Sequence, residues 1–205
     1  MSRWITPAAA AVLSGLALSS PAHAGDYTLG GTLYIQVFKD PETLGAGLSH
    51  DHVMVSRGWS GTASYDAADP SACNISITVP VNQLDVDPQY MRQAVGYTTT
   101  LDDTQRGQVK EHMLAEGQLN GAAHPNITFQ STTCTADSIS GNLSIRGSSQ
   151  PVTIKTKMSE DGSSFSAKGQ LTIRATQFGF QPYSALFGQL KNRDDMKLTI
   201  KLESK

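Results

Sequence analysis

Charge is scarce in this chain, and what there is nearly cancels. Only 17% of the 205 residues are Asp, Glu, Lys or Arg, and 16 basic residues stand against 18 acidic ones, a net charge of -2. A chain with so few charges and 39% hydrophobic residues is not an unfolded polyelectrolyte. A pI near 6.2 gives no electrostatic footprint for nucleic acid. The reactive signatures are missing as well. There is no G-x-S-x-G elbow, no H-E-x-x-H and no Gly-rich phosphate loop. Asp85-Val86-Asp87 lacks the remaining positions of a calcium loop. Heptads, internal repeats and low-complexity tracts are absent, so the length points to one domain.

Long apolar runs are missing too, except one. Arg3 is followed by an apolar stretch from Ala8 to Leu18, a break at Ser19-Ser20-Pro21, and Ala22-His23-Ala24. This is the layout of a secretory signal peptide over residues 1–24, with cleavage between Ala24 and Gly25. The run falls short of the ~20 residues that a membrane-spanning helix needs. The expectation is an exported domain, periplasmic or secreted, over residues 25–205, with no stable membrane span. There are only two cysteines, Cys73 and Cys134. In an oxidising compartment they can pair. Cys73 would open one strand and Cys134 would close another, so antiparallel neighbours would bring them together.

What the chain has in quantity is period-two alternation, the mark of half-buried strands. Leu33, Ile35 and Val37 share one face; Ile75, Ile77 and Val79 share another. The pattern recurs at Ile127 and Phe129, at Leu143 and Ile145, at Val152 and Ile154, from Phe165 through Leu171 to Ile173, and at Leu198 and Ile200. His52 to Tyr65 reads as one further, less regular strand. Residues 126–175 read as a meander of four antiparallel strands, with turns near Gly147 and at Asp161-Gly162. Residues 82–123 break the pattern. Asp87-Pro88 resembles an N-cap followed by proline, with Gly96 ending a short helix. Thr100 to Asp103 opens a second helix, running to about Ala115, that would turn Leu101, Val109, Met113 and Leu114 toward the core. About eight strands and one helical insertion make an all-β barrel or sandwich. An eight-stranded barrel has room for one small ligand, with the helices as a plug or lid.

Several stretches together resemble the YceI-like family of exported bacterial proteins. They are His124 to Ser131, a Pro-x-x-x-Phe-x-Ser strand opening; Ile139 to Gly147 with Gln150 to Ile154, a Gly-x-Leu-x-Ile-x-Gly…Pro-Val hairpin; and Ala167 to Ile173 ahead of Phe178-Gly179. Ser60 to Asp66 and Val79 to Asp85 also match, so the resemblance spans most of residues 27–203. It implies an eight-stranded antiparallel, lipocalin-like barrel, with no established catalytic residues, whose apolar tunnel holds an isoprenoid or other amphiphilic lipid chain.

Under that expectation the tunnel lining is Leu33, Ile35, Val37, Ile75, Ile77, Phe129, Leu143, Ile145, Ile154, Phe165, Leu171, Ile173 and Ile200. The alternative is that these residues fill a dry core. Phe178, Phe180, Tyr183, Leu186 and Phe187 form an aromatic-rich segment before the last strand, a candidate gate at the mouth or an ordinary corner. His50 and His52 are the candidate polar groups of the mouth. On a strand, His50, His52 and Met54 would share a face, and two imidazoles with a thioether suit copper or, with another ligand, zinc. That keeps a metal-binding or redox-linked protein as the competing reading. A third reading is a general base at His50 or His52 oriented by Asp51, Asp85 or Asp87. The expectation favours no enzyme, no metal and no cofactor beyond the bound lipid, with a homodimer left open.

Overall fold

The computed structural model describes residues 25–161 and 163–205. The expected signal peptide over residues 1–24 lies outside the described residues. Eleven strands and two helices follow one another: β1 (Gly25–Lys39), β2 (His52–Ser56), β3 (Ser60–Tyr65), β4 (Asn74–Pro80), β5 (Leu84–Val86), α1 (Gln89–Ala94), α2 (Asp103–Leu114), β6 (Asn126–Thr135), β7 (Ser138–Ile145), β8 (Ser148–Glu160), β9 (Phe165–Arg174), β10 (Ser184–Ala185) and β11 (Leu190–Ser204).

Eight of the strands close a barrel in the order β1-β3-β4-β6-β7-β8-β9-β11, and β11 returns to β1. All of these pairings are antiparallel. Closure leaves none of these eight strands at the edge of the sheet, which lessens the usual aggregation hazard of a long sheet. The four-strand meander over residues 126–175 is present as β6 to β9. Its β7–β8 turn is tighter than the Gly147–Pro151 stretch suggests. Arg146 and Gly147 both have positive φ, 53° and 75°, and Ile145 pairs directly with Ser148. This two-residue turn matches the strand twist and puts Pro151 inside β8.

The segment from His52 to Tyr65 is two strands rather than one. Gly58, at φ 58°, breaks it in the left-handed region that glycine enters without strain. On one side of the break β3 pairs with the start of β1. On the other, β2 pairs with the end of β1 and with β5. The β2–β5 ribbon thereby leaves the barrel wall and carries the helical insertion beside the mouth.

One end of the barrel is filled. Phe165 stacks on Tyr27, with centroids 5.8 Å apart, and meets Tyr65 at 5.5 Å. Tyr27 Oη donates to Glu160 Oε1 at 2.7 Å. Beside this floor, Cys73 and Cys134 form a disulfide with a Cα–Cα distance of 5.9 Å. Cys73 immediately precedes β4 and Cys134 sits near the end of β6, its antiparallel neighbour. The floor corrects one expectation: Phe165 is almost wholly buried and closes the barrel instead of lining its interior space.

Both helices stand at the other end. α1 begins at Gln89, and Pro88, not Asp87, occupies the cap position. Asp87 has φ 50° and a buried side chain. α2 begins where the sequence placed a helix start and adds a capping box: Asp102 accepts from Gln105 N, and the Gln105 side chain accepts from Asp102 N. Leu101 is buried, but no residue within α2 is. Val109, Met113 and Leu114 lie half-exposed; Met113 and Leu114 pack against the edge of the core, and Val109 and Met113 line the opening that the helix covers.

Candidate functional site: an apolar tunnel with a polar mouth

Inside the barrel is a cavity of about 450 Å³, a size suited to a small-molecule ligand. Alternation along the strands aims one face of each strand inward, and those inward residues are the apolar ones. Leu33, Ile35, Val37, Ile75, Ile77 and Phe129 line it, as do Leu143, Ile145, Ile154, Leu171, Ile173 and Ile200. Ile77 and Phe129 face one another across β4 and β6. The lining on β11 runs from Leu190 to Leu202, roughly 40 Å along the strand at about 3.3 Å per residue. Among the described residues no Asp or Glu lines the cavity.

The mouth is built from three segments. The first is the run into β2: His50 precedes the strand, and His52, Met54 and Ser56 line the cavity along it. The intervening Val53 and Val55 turn away and pack with Met91 of α1. The second is the α2 edge, with Gln105, Gln108, Val109, His112 and Met113. The third is the segment before β11. Tyr183 stacks on His112 at 4.9 Å, and Gln118 Nε2 donates to the Gln181 carbonyl at 3.1 Å, so the lid helix and this segment meet. Arg146 ties the β7–β8 turn to both, donating to the carbonyls of Gly179 and Glu116 at 2.8 Å each.

The aromatic segment divides. Phe180 and Tyr183 line the cavity. Phe178 does not; it is 1% exposed and belongs to the core. Leu186 and Phe187 also stand apart from the cavity, and Phe187 is fully exposed. Both have positive φ, 49° and 54°, and that backbone holds them outward.

Behind the mouth lies a buried cluster that sequence reading identified only in part. Asp87 Oδ2 accepts from His52 Nδ1 at 2.6 Å, and Asp87 Oδ1 accepts from Arg92 Nη1 at 2.7 Å and from Val53 N at 3.0 Å. Arg92 is 1% exposed. It also donates to the Asp51 carbonyl and, through Nε, to the Thr99 carbonyl, each at 2.9 Å. Burial alone would push the Asp87 carboxyl up. The hydrogen bonds from His52, Val53 and Arg92 outweigh that and hold it below the usual carboxylate range. His50 is pushed down, first by burial and then by its basic neighbours His52, Arg92 and Lys39.

Of the three carboxylates weighed as partners for the histidines, Asp87 alone is seen on an imidazole. Asp85 binds Arg57 and Arg106, and the Asp51 carboxylate accepts from Lys39 N. Arg92 carried no sequence signal, since a single arginine in a short helix looks like a solvated one. For copper or zinc, His52, Met54 and His50 share the cavity, but His52 Nδ1 is held by Asp87. Among the described residues no group of three or more His, Cys, Asp or Glu side chains is placed to hold a metal ion.

Comparison with known proteins agrees with this architecture. The UPF0312 protein of Pseudomonas aeruginosa is 26% identical over 133 residues, 60% of each chain. Protein YceI of Salmonella newport is 25% identical over 130 residues, 58% of this chain and 59% of that one. The chain thus aligns with about 60% of the length of these curated relatives. Among solved structures, Burkholderia cenocepacia BcnA superposes with a TM-score of 0.61 at 14% identity, covering 84% of this chain and 96% of BcnA. The Campylobacter jejuni YceI protein gives 0.54 at 15%, covering 73% and 81%. At such identities the structures speak to fold alone. The YceI-like domain family matches residues 39–204, and the chain, a closed eight-stranded antiparallel barrel with an apolar interior, belongs to that family.

Proposed function

We propose that this protein is an exported, periplasmic carrier that holds an isoprenoid or other amphiphilic lipid chain in its barrel, with no catalytic step. The observation that carries the reading is the cavity. It is apolar along the barrel, stopped at one end by the Tyr27–Tyr65–Phe165 floor, and open beneath α2 at a polar mouth. A dry core of the same residues would leave no such space, because packed interiors keep few voids larger than a water. Each CH2 withdrawn from water contributes about 0.8 kcal/mol, so a chain of several isoprene units binds without specific polar contacts along the tunnel. His50, His52, Phe180 and Tyr183 stand where the head of such a molecule would rest. The disulfide supports export, since such bonds persist in oxidising compartments. Among the described residues no helix is long and apolar enough to cross a membrane.

The test is native mass spectrometry on protein exported to the periplasm and purified without detergent. An added mass of several hundred daltons that extracts into organic solvent supports the carrier. Bare protein that also fails to take up added farnesol sinks it. An added mass of one copper or zinc, lost in the His50→Ala/His52→Ala variant, would replace it with a metal-binding reading.

A further inference from the structure

The cluster behind the mouth dictates what kind of head group the tunnel accepts. Asp87 is 1% exposed and sits in the left-handed region at φ 50°, which costs an aspartate some backbone strain. A buried carboxylate held in that conformation by Arg92, Val53 N and His52 is an over-determined arrangement, and its open end is the imidazole. An ionised carboxylate only accepts hydrogen bonds. His52 Nδ1 is therefore the donor in the 2.6 Å contact. In the neutral imidazole with this contact the proton sits on Nδ1, facing Asp87. In that tautomer Nε2 carries a free lone pair. Nε2 has no hydrogen-bond partner among the described residues, and the ring lines the cavity.

His52 also lies inside the mouth, not on its outer rim. It is level with Val37 on β1, which pairs in turn with Met196 on β11. The basic residues that border the cavity, Lys191 and Arg193, lie further out along β11, on either side of Asn192, the partner of Lys39. His52 thus lies further into the tunnel than either cation.

We propose that His52 Nε2, with its tautomer set by Asp87, accepts a hydrogen bond from the ligand head, so that the tunnel selects apolar chains ending in a hydroxyl over equal chains ending in an ether or an anion. Asp87 and Arg92 are positioning residues in this arrangement: they act through the imidazole and touch no ligand. This rests on the carrier reading and adds the head-group class to it.

Three probes with one chain test it by calorimetric titration of the full-length delipidated protein: farnesol, farnesyl methyl ether and farnesyl phosphate. Farnesol should bind about tenfold more tightly than the ether, the worth of one buried hydrogen bond, and more tightly than the phosphate. In His52→Phe, which keeps the ring and removes the lone pair, the alcohol-to-ether ratio should fall to near one. Imidazole nitrogen NMR of the unmodified protein gives an independent readout should that variant fold poorly. The Nε2 resonance should move when farnesol is added and stay put with the ether. Equal binding of alcohol and ether, or an unmoved Nε2 resonance, overturns the proposal while leaving the tunnel intact. Tighter binding of the phosphate overturns it and assigns the mouth to anions. Failure of all three probes to bind removes the carrier reading itself.

Discussion

Arg92 Nη1 meets Asp87 Oδ1 at 2.7 Å, and the two side chains are 1% and 0% exposed. The bond joins α1 to the turn that precedes it, and through His52 and Val53 it joins both to β2. Removing one partner leaves an uncompensated buried charge, at a cost of about 3–5 kcal/mol. Arg92→Met should therefore lower stability by that order in urea unfolding. An Arg92→Met protein as stable as its parent would show that the pair is dispensable.

The same carboxyl sets an acid limit. Its folded value is depressed, so its contribution is complete above the unfolded aspartate value near 4 and is lost as the pH falls through the folded value. Stability measured from pH 6 downward should hold to about pH 4 and then decline. In Asp87→Asn that part of the decline should vanish. An identical acid profile in the variant would refute the assignment.

Tyr27 sets an alkaline limit at the opposite end of the barrel. Its hydrogen bond to Glu160, aided by burial and by that acid's charge, raises the phenol to about 12. A raised value means the stabilisation is complete below the unfolded tyrosine value near 10 and is lost as the pH climbs to about 12. The absorbance titration of the parent minus that of Tyr27→Phe should show one phenol ionising at about 12. A difference curve centred near 10 would contradict the contact.

Cys73 and Cys134 close a loop with a sequence separation of 61. In the chain-entropy account this contributes roughly 4 kcal/mol by restricting the unfolded chain. The Cys73→Ser/Cys134→Ser protein should lose about that much in denaturant unfolding, with its far-ultraviolet spectrum unchanged. A loss below about 1 kcal/mol would place the bond's worth elsewhere.

The lid depends on its first turn. No residue of α2 is fully buried and its core contacts, Met113 and Leu114, lie in the last turn, so the capping box matters more at the first. Asp102→Ala should cost about 1 kcal/mol of local stability. Amide exchange across residues 103–108 should quicken by roughly fivefold, which corresponds to that energy, while the barrel strands stay protected. Equal exchange in both proteins would mean that contacts with the Tyr183 segment, not the cap, hold the lid.

Alternation and turn chemistry were local, and they were legible. They placed the inward faces of the barrel strands, the meander over residues 126–175, the start of α2 within residues 100–103, and Cys73 and Cys134 at opposite ends of their strands. They also placed Ile77 and Phe129 on inward faces, since a period of two does not depend on what the opposite wall contains. Two errors share one cause. The break at Gly58 and the left-handed turn at Asp87 are positions where tertiary contacts override a continuous local pattern.

Residue types alone therefore determined an antiparallel all-β domain with one helical excursion, an apolar face on each barrel strand, and a pair of cysteines able to meet. Only the tertiary structure decided that the faces enclose a space. Whether inward side chains meet or leave a cavity is a matter of volumes summed around a closed wall, and no single strand records that sum. The same closure made Phe165 a floor and Phe178 core, and it turned Phe187 outward. It brought Asp87, Arg92 and His52 within hydrogen-bonding reach although Asp87 stands 35 residues from His52. Buried charges find partners through three-dimensional approach, where the cost of desolvating them selects the geometry; sequence spacing carries no trace of that selection.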